Sequence, residues 1–269
     1  MERNVILIDF SGIAIATIAV NKVNDESMLR HMMINSIRMY RTKFKEQYGE
    51  VVLAIDAGNN WRRNYYPQYK ANRKKTRDDS GFDWQEAFRI LHMVQEEIKE
   101  NFPYKVIKID ECEADDIIGT VVANTQEFGQ YEDVMIVSAD HDFKQLQQYP
   151  NVKQFSPLLK KPVVDDNPKI NLIEKILTGD AGDGVPNVLS DDDVFVDGRR
   201  QTPLSKKKKE AFKEDLAEGE LLYAASWYRN YQRNETLIDL TNTPDRLKKQ
   251  IIEEFNSQDP WHNKGKVFP

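Results

Sequence analysis

The run VILIDF (residues 5–10) joins four apolar residues to an acid, and this pattern decides the fold class. It recurs in VVLAID (51–56), in YKVIKI (104–109), which Asp110 follows, and in VMIVSAD (134–140), while VKQF (152–155) reads as a fifth strand. Strands that are buried on both faces read as such continuous apolar runs, which is typical of parallel sheets. The chain therefore predicts five buried strands, most of them ending at an acid.

Amphipathic segments lie between these runs. Three of them have helical patterns: residues 27–47, 84–101 and 113–127. The second follows Asp83, with Glu86 three positions on, an arrangement that resembles a capping box. Strands that alternate with helices predict an α/β fold with a mainly parallel central sheet and helices on both faces. We assign this domain to residues 1–167.

Strand patterns stop after Pro168. Three later segments predict helices: residues 171–177, the 206–233 region and residues 244–255. Thr243 is the expected cap of the last helix, with Pro244 in its first turn. Residues 191–204 predict a loop. We therefore predict a smaller all-helical region over residues 168–269.

The composition bounds the possible functions. The chain has 269 residues, 40% of them hydrophobic, a net charge of -6 and a single cysteine. The hydrophobic content indicates a globular protein, and one cysteine excludes an internal disulfide and favours a reducing cytoplasm. No run approaches the roughly 20 apolar residues of a membrane span, and the N-terminus lacks the apolar run of a signal peptide. We expect a cytoplasmic monomer with no membrane contact.

Acids are concentrated where the predicted strands end. Ligands of a parallel sheet bind beyond the carboxyl ends of its strands. Four strands deliver acids to that edge: Asp9, Asp56, the stretch DECEADDIIG (110–119), and Asp140 with Asp142. Each aspartate alone could simply cap a helix, but a cap needs no second acid two residues later. The sequence therefore predicts one acidic site at this edge.

The stretch DECEADDIIG places five carboxylates in seven positions. Two such charges about 4 Å apart repel by roughly 4 kcal/mol at an effective dielectric of about 20. Clustered hard oxygen ligands attract Mg²⁺ or Mn²⁺. Two such ions suit phosphodiester hydrolysis, because one activates water and the other stabilises the leaving oxygen. The acids alone leave phosphatase chemistry open.

A second acid pair, Asp180 and Asp183, lies in the glycine-rich segment TGDAGDGVPNV (178–188). By itself it could be a solvent-facing turn. The segment lacks the Gly-Lys-Ser/Thr of a phosphate-binding Walker loop. The histidines and Cys112 have no zinc-ligand spacing, so Cys112 is expected to be a small packed residue.

The segment NNWRRNYYPQYKANRKKTRDD (59–79) reverses the charge. It interleaves cations with aromatic residues and has no acid between Trp61 and Arg77. Cations bind phosphates and aromatic faces stack on bases, so the pattern favours a nucleic-acid contact. A solvated basic helix is the alternative reading. The run KKKK (206–209) and Lys213 could hold duplex backbone or be solvated equally well.

These motifs resemble those of one family, the structure-specific 5′-nucleases or flap endonucleases, and within it the T-even bacteriophage ribonuclease H group. The matching segments are LIDFSGIAIAT, VVLAIDA, WRRNYYPQYKANR, KIDECEADDIIG, IVSADHDFKQL, YPNVKQFSP and ILTGDAGDGV. They extend from about residue 5 to residue 188, and weaker similarity continues to the C-terminus. The resemblance implies Mg²⁺-dependent 5′→3′ hydrolysis of RNA in RNA–DNA hybrids and of 5′ DNA ends or flaps. The implied role is the removal of RNA primers during phage lagging-strand replication, in the host bacterial cytoplasm.

The resemblance also implies site residues and partners. Two Mg²⁺ ions, for which Mn²⁺ can substitute, are expected. The first ion would be held by Asp9, Asp56, Glu113, Asp115 and Asp140, and the second by Asp115, Asp142, Asp180 and Asp183, while Asp116 matches a further family acid with a less defined role. Lys70 and Arg73 match basic residues near the scissile phosphate. Residues 59–82 would form an arch over the single strand, and its expected nucleic-acid contacts are Arg62, Arg63, Tyr65, Tyr66, Tyr69, Lys74, Lys75 and Arg77. Expected protein partners are a phage single-stranded-DNA-binding protein and a sliding clamp.

Two departures from the family pattern affect the helical region. Where many members have a glycine-rich hairpin that grips duplex DNA, this chain reads VPNVLSDDDVFVDG, with three consecutive acids. It also ends at GKVFP, earlier than the T-even relatives. Two alternatives stay open: a non-catalytic binder of branched DNA with the same fold, and a smaller ribonuclease of the PIN type. The full acid set disfavours the first, and Asp180 with Asp183 disfavours the second.

Overall fold

A computed structural model describes residues 4–73, 77, 79–127, 131–219 and 225–259. Its sheet has six strands in the order β3-β2-β1-β4-β5-β6. The strands are β1 (Val5–Asp9), β2 (Glu50–Ala54), β3 (Lys105–Ile107), β4 (Val134–Val137), β5 (Val152–Ser156) and β6 (Lys161–Val163). All neighbouring strands pair in parallel except β5 and β6, which are antiparallel.

Nine α-helices longer than one turn lie in the described part of the chain. They are α1 (Phe10–Asn21), α2 (Glu26–Phe44), α3 (Trp61–Tyr65), α4 (Trp84–Asn101), α5 (Ala114–Thr125), α6 (Pro168–Thr178), α7 (Lys206–Glu218), α8 (Tyr228–Ile238) and α9 (Asp245–Ser257). Short 3₁₀ helices cover His141–Gln148, Ala181–Asp183 and Leu240–Asn242. Among the described helices, none is long and apolar enough to cross a membrane.

The chain divides into two compact units, and both are discontinuous. Unit 1 contains residues 1–60, 81–166 and 243–269, and unit 2 contains residues 61–80 and 167–242. The division into domains at residues 1–167 and 168–269 stays a prediction; by their contacts, helix α9 belongs to unit 1 and the basic segment belongs to unit 2.

Unit 1 is a layered α/β fold in which the apolar side chains of each strand alternate between the two faces of the sheet. Ile6, Ile8 and Leu53 point into a core that the buried faces of α1, α2 and α4 complete. Because side chains alternate across a strand, Leu7 and Val52 lie on the other face, where α5 packs against β1 and β2. The predicted α/β class, with helices on both faces of a mainly parallel sheet, is therefore confirmed.

The strand order creates a topological switch point. The chain builds β1, β2 and β3 outward in one direction and then returns to place β4 on the other side of β1. In such sheets a crevice opens beyond the carboxyl ends of the two strands at which the order reverses. Those strands are β1 and β4. Strand β1 ends at Asp9, and β4 ends at Val137, shortly before Asp140.

Several local predictions need correction. Helix α1 was not predicted, because FSGIAIATIAV (10–20) is largely apolar and shows no polar face. Strand β6 was also missed. The 206–233 region contains two helices, α7 and α8, and Thr243 is not a cap, because helix α9 has Pro244 at its N-cap.

Candidate active site

Asp9 lies at the centre of the acidic edge of unit 1. It is the last residue of β1 and the N-cap of α1, and its Oδ1 accepts the backbone N–H of Gly12 at 2.9 Å. Its Oδ2 accepts the hydroxyl of Ser138 at 2.8 Å. A Cβ atom at residue 12 would lie 2.4 Å from Asp9 Oδ2, so glycine at this position leaves room for the carboxylate.

The surroundings of Asp9 oppose its negative charge. Burial, followed by the nearby charges of Asp56 and Asp140, raises the pKa of Asp9 from 3.8 to about 6. The hydrogen bonds from Gly12 and Ser138 lower it, but they do not compensate. Three carboxylates from three different strand ends are therefore close enough to repel one another, which is the arrangement that a bound cation would relieve.

Ser138 connects Asp9 to the acids that follow β4. Its Oγ also accepts the backbone N–H of Asp140 at 3.0 Å, and Asp140 Oδ1 in turn accepts the backbone N–H of Asp142 at 2.8 Å. Gln154 on β5 donates to the carbonyl oxygen of Asp140 at 2.7 Å. The loop that carries both acids is thus fixed from β1, from β5 and by its own backbone.

Asp56 joins β2 to helix α5. Its backbone N–H donates to Ser11 Oγ at 2.8 Å, and its Oδ1 accepts the backbone N–H of Ala114 at 2.7 Å. Ala114 is the first residue of α5, so Asp56 satisfies one of the free N–H groups of that helix. A carboxylate here is also favoured by the helix dipole.

The first turn of α5 carries the acids of the DECEADDIIG stretch. Glu113 is the N-cap and is buried, and Asp115 is half-buried. Asp116 is 0% exposed, and its carboxylate accepts the backbone N–H of Glu113 at 2.9 Å and the hydroxyl of Thr243 at 2.8 Å. Glu111 pairs with Arg246. Glu113 and Asp116 thus form a capping box at the start of α5, whereas Glu111 is bound by α9.

A cleft of about 870 Å³ in unit 1 includes Asp9 and Asp140 in its lining. Residues of helices α1 and α2 line it as well, together with Leu158 and Lys160 from the β5–β6 turn. Its lining is largely apolar, with Lys160 as a cation.

Unit 2 contains the second acid pair. Asp180 Oδ1 accepts the backbone N–H of Asp183 at 3.1 Å, and Lys175 lies 3.1 Å from Asp180 Oδ2. Burial acts to raise the pKa of Asp180, but the charge of Lys175 and the backbone hydrogen bonds outweigh it and lower the pKa. Asp180 is thus held ionised.

Asp183 contacts Lys70 and Arg73, the two residues that match basic residues of the family near the scissile phosphate. Its carboxylate accepts hydrogen bonds from Tyr69 at 3.1 Å and from Arg73 at 2.7 Å, and Lys70 Nζ lies 3.5 Å away. The backbone N–H of Lys70, a residue with a positive φ of 55°, donates to the Asp183 carbonyl at 2.8 Å. Within unit 2 the predicted acid and both predicted catalytic cations therefore form one cluster.

Part of the basic-aromatic segment is core and not surface. Arg62 is 1% exposed, donates to the Leu237 carbonyl at 2.8 Å and stacks on Trp61. Tyr66 and Tyr69 are buried as well, and Tyr66 donates to the Asp192 carbonyl. Because these three side chains are consumed by packing, the prediction that Arg62, Tyr66 and Tyr69 contact nucleic acid is corrected.

The other residues that were predicted to contact nucleic acid differ in their exposure. Arg63 and Tyr65 are exposed, and Arg77 is half-buried. Lys74 and Lys75 lie outside the described residues. Lys213, considered as a contact for duplex backbone, is engaged by Glu174 and Glu210. In the KKKK run at the start of α7, residues 206–208 are exposed and Lys209 is half-buried.

The donors present suit a hard divalent cation, since all of them are carboxylates. Among the described residues, no three acidic, histidine or cysteine side chains converge closely enough to form a finished cation site. The carboxylates of unit 1 therefore fit a hard divalent cation such as Mg²⁺ or Mn²⁺.

Sequence reasoning missed the residues that hold the acids. Ser138 precedes Asp140 in the SAD motif and Ser11 follows Asp9 in DFS, so both could have been found as polar residues at buried strand ends. Gly12 could have been found as the glycine three positions after a capping acid. Thr243 gave no local indication of its contact, because it lies 127 residues from Asp116.

Comparisons with known proteins agree with this geometry. The model of the 5′-3′ exonuclease N-terminal resolvase-like domain matches residues 5–174, and the model of the T4 RNase H C-terminal domain matches residues 166–268. Ribonuclease H of Enterobacteria phage T4 is 37% identical over 279 residues, covering 99% of this chain and 90% of that protein.

Solved structures share the fold at lower identity. The T5 5′-exonuclease with bound divalent metal ions (zinc) aligns with a TM-score of 0.71 and 15% identity, covering 94% of this chain and 98% of that one. The bacteriophage T5 flap endonuclease in a pseudo-enzyme-product complex with DNA and metal ions aligns with a TM-score of 0.67 and 16% identity, covering 95% and 100%.

Proposed function

Since the chain belongs to the 5′-3′ exonuclease family and is a nuclease, we propose that it is a Mg²⁺-dependent 5′→3′ nuclease that removes RNA primers during phage lagging-strand replication. Its proposed substrates are RNA–DNA hybrids, 5′ DNA ends and 5′ flaps. The relatives support these classes: the phage T4 protein is named a ribonuclease H, and the T5 flap endonuclease was solved with DNA and metal ions.

One observation carries the proposal. Asp9 is buried at the switch point of the sheet between the charges of Asp56 and Asp140, and its pKa is raised to about 6. A fold that only binds DNA has no use for repelling carboxylates at this place, whereas a hydrolase that takes up divalent cations does.

We assign the first ion to the acids of unit 1. Asp9 would bind it directly, with Asp56, Glu113, Asp115 and Asp140 completing the oxygen set. The bound cation would lower the pKa of a water molecule and stabilise charge on the phosphate. Ser138 and Gly12 keep the Asp9 carboxylate oriented through their hydrogen bonds, and Mn²⁺ should replace Mg²⁺, because it accepts the same ligands.

We propose that Asp180 and Asp183, which lie together in unit 2, contribute to a second ion, as the family pattern implies. Lys70 and Arg73 would contact the phosphate of the scissile strand. The ion pairs with Asp183 support this role, because they hold the side chains of Lys70 and Arg73 in place. Lys70→Ala should slow cleavage at saturating substrate, and an unchanged rate would remove Lys70 from the reaction.

Protein partners and location follow from family membership only. We propose that a phage single-stranded-DNA-binding protein and a sliding clamp act with this nuclease in the host bacterial cytoplasm. The exposed residues Arg63, Tyr65 and Arg73 are the proposed contacts of the nucleic acid in the basic segment.

The decisive experiment is a cleavage assay on 5′-labelled flap and RNA–DNA substrates, with Mg²⁺ or with EDTA. We expect short 5′ products with Mg²⁺ and none with EDTA. A protein that binds both substrates without Mg²⁺-dependent products would be the non-catalytic binder of branched DNA. Equal cleavage of both substrates in EDTA would refute the metal requirement.

A further inference from the structure

A buried carboxylate lies behind the proposed metal acids of helix α5. Asp116 is 0% exposed, and its two oxygens accept from two different donors, the Glu113 backbone N–H through Oδ2 and the Thr243 hydroxyl through Oδ1. Because each of its two oxygens is bound by a different segment, Asp116 is committed to holding the start of the helix.

Thr243 is itself held in place by its attachment to helix α9. It is 1% exposed and lies directly before helix α9, which packs on α5. Leu247, Ile251 and Phe255 form the buried face of α9. The hydroxyl thus reaches Asp116 from a segment that is anchored by its own apolar contacts.

The turn that this pair holds is the one that carries Glu113 and Asp115. Glu113 is the N-cap, and its own backbone N–H is the group that Asp116 binds. If Asp116 turns away, Glu113 loses its fixed orientation and the first turn of α5 loosens. Carboxylates that share a cation must be held to within about 0.5 Å, so this loss would reach the metal.

We propose that Thr243 is a positioning residue for metal binding, acting through Asp116 on Glu113 and Asp115; this inference rests on the proposed metal-dependent function. Asp116 is then a support of the ligands and not itself a ligand. Outer partners of metal ligands typically contribute 10–100-fold in metal affinity, which sets the expected size of the effect.

The test compares Thr243→Val, which has nearly the same shape without the hydroxyl, with Thr243→Ser, which keeps it. Mn²⁺ binding to the metal-free protein is measured by electron paramagnetic resonance, and cleavage is measured against Mg²⁺ concentration. We expect Thr243→Val to bind Mn²⁺ about 10–100-fold more weakly, with cleavage restored at high Mg²⁺. Thr243→Ser should bind Mn²⁺ within about threefold of the unmodified protein.

Thr241→Val is the matched control. It removes a hydroxyl that donates to Asp239 Oδ1 at 2.7 Å, a bond that does not involve the α5 acids. This variant should keep both Mn²⁺ affinity and Mg²⁺ dependence. Unchanged Mn²⁺ affinity in Thr243→Val would overturn the proposal, and so would an equal loss in Thr241→Val.

A second substitution, Asp116→Asn, keeps the test informative if Thr243→Val folds poorly. Asp116→Asn should weaken Mn²⁺ binding, and adding Thr243→Val to it should cause little further loss, because both act through one hydrogen bond. Independent, multiplying losses would overturn the proposal. If the unmodified protein binds Mn²⁺ but cleaves nothing, the function fails while the positioning of the acids can still be judged.

Discussion

Replacing Asp9 with asparagine should stabilise the metal-free protein while destroying its proposed function. The carboxylate of Asp9 is buried, and its pKa is raised from 3.8 to about 6 by burial and by Asp56 and Asp140. Asparagine can keep the geometry, since its oxygen can accept from Gly12 and its amide can donate to Ser138 Oγ. The substitution thus removes the charge with little change in shape.

The size of the effect follows from linkage. A shift of about 2 pKa units corresponds to about 3 kcal/mol between the two protonation states. The folded protein binds the proton more tightly than the unfolded chain, so the stability from protonated Asp9 is fully present below pH 3.8 and lost as the pH rises through about 6. At pH 7.5 the asparagine variant should therefore be more stable by about 1–3 kcal/mol, after allowing for altered hydrogen bonds.

The assay is denaturant unfolding in EDTA at pH 4, 6 and 7.5. The stability difference between the two proteins should be smallest at pH 4 and grow as the pH rises. Asp166→Asn, at an exposed acid, is the control for loss of one negative charge and should change the free energy of unfolding by less than about 0.5 kcal/mol. Mg²⁺ should then stabilise the unmodified protein more than Asp9→Asn, because a ligand of the folded state adds free energy by mass action.

The reasoning would be refuted by an Asp9→Asn protein that is less stable than the unmodified protein at pH 7.5 in EDTA. A stability difference that does not vary with pH would refute it as well. Either result would mean that the charges around Asp9 are compensated without a cation.

Three further predictions follow from the same contacts. Asp140→Asn should reduce cleavage by at least about 100-fold but keep DNA binding in a gel-shift assay, because asparagine can still accept the Asp142 N–H; wild-type cleavage would remove Asp140 from the site. Gly12→Ala should reduce Mn²⁺ affinity, because the added Cβ would lie 2.4 Å from Asp9 Oδ2. It should not lower the unfolding midpoint, because alanine favours the helix. Unchanged Mn²⁺ binding would contradict this prediction. Arg62→Ala should lower the free energy of unfolding, measured in urea, by roughly 2–4 kcal/mol. The control Arg63→Ala, at the exposed neighbour, should change the free energy of unfolding by less than about 0.5 kcal/mol. Equal effects of the two substitutions would contradict the burial of Arg62.

The acidic edge was predictable because it rests on a rule about backbone direction. Once VILID, VVLAID and VMIVSAD are assigned to parallel strands, Asp9, Asp56 and Asp140 must reach the same edge. The structure adds that these acids are linked by serine hydroxyls and that Asp9 is the buried one. Burial depends on the packing of the whole sheet, which no local pattern specifies.

The basic-aromatic segment was predicted less well for a related reason. Cations interleaved with aromatic rings suit base and phosphate contacts, but they suit a buried arginine stacked on rings equally well. Arg62 and Tyr69 adopt the second arrangement, while Arg63 and Tyr65, which lie between them, are exposed. The sequence contains no feature that separates the two pairs, because the partners of Arg62 come from residue 237, far along the chain.

The return of helix α9 to unit 1 has a consequence for synthesis of the protein. A growing chain presents all six strands and all the proposed metal acids of unit 1 before α9 exists, but Thr243 and the apolar face of α9 arrive only after unit 2 has been made. A ribosome-bound chain would therefore carry the acids without the support behind Asp116. Until Thr243 has been made, such a chain would bind metal more weakly than a chain that includes α9.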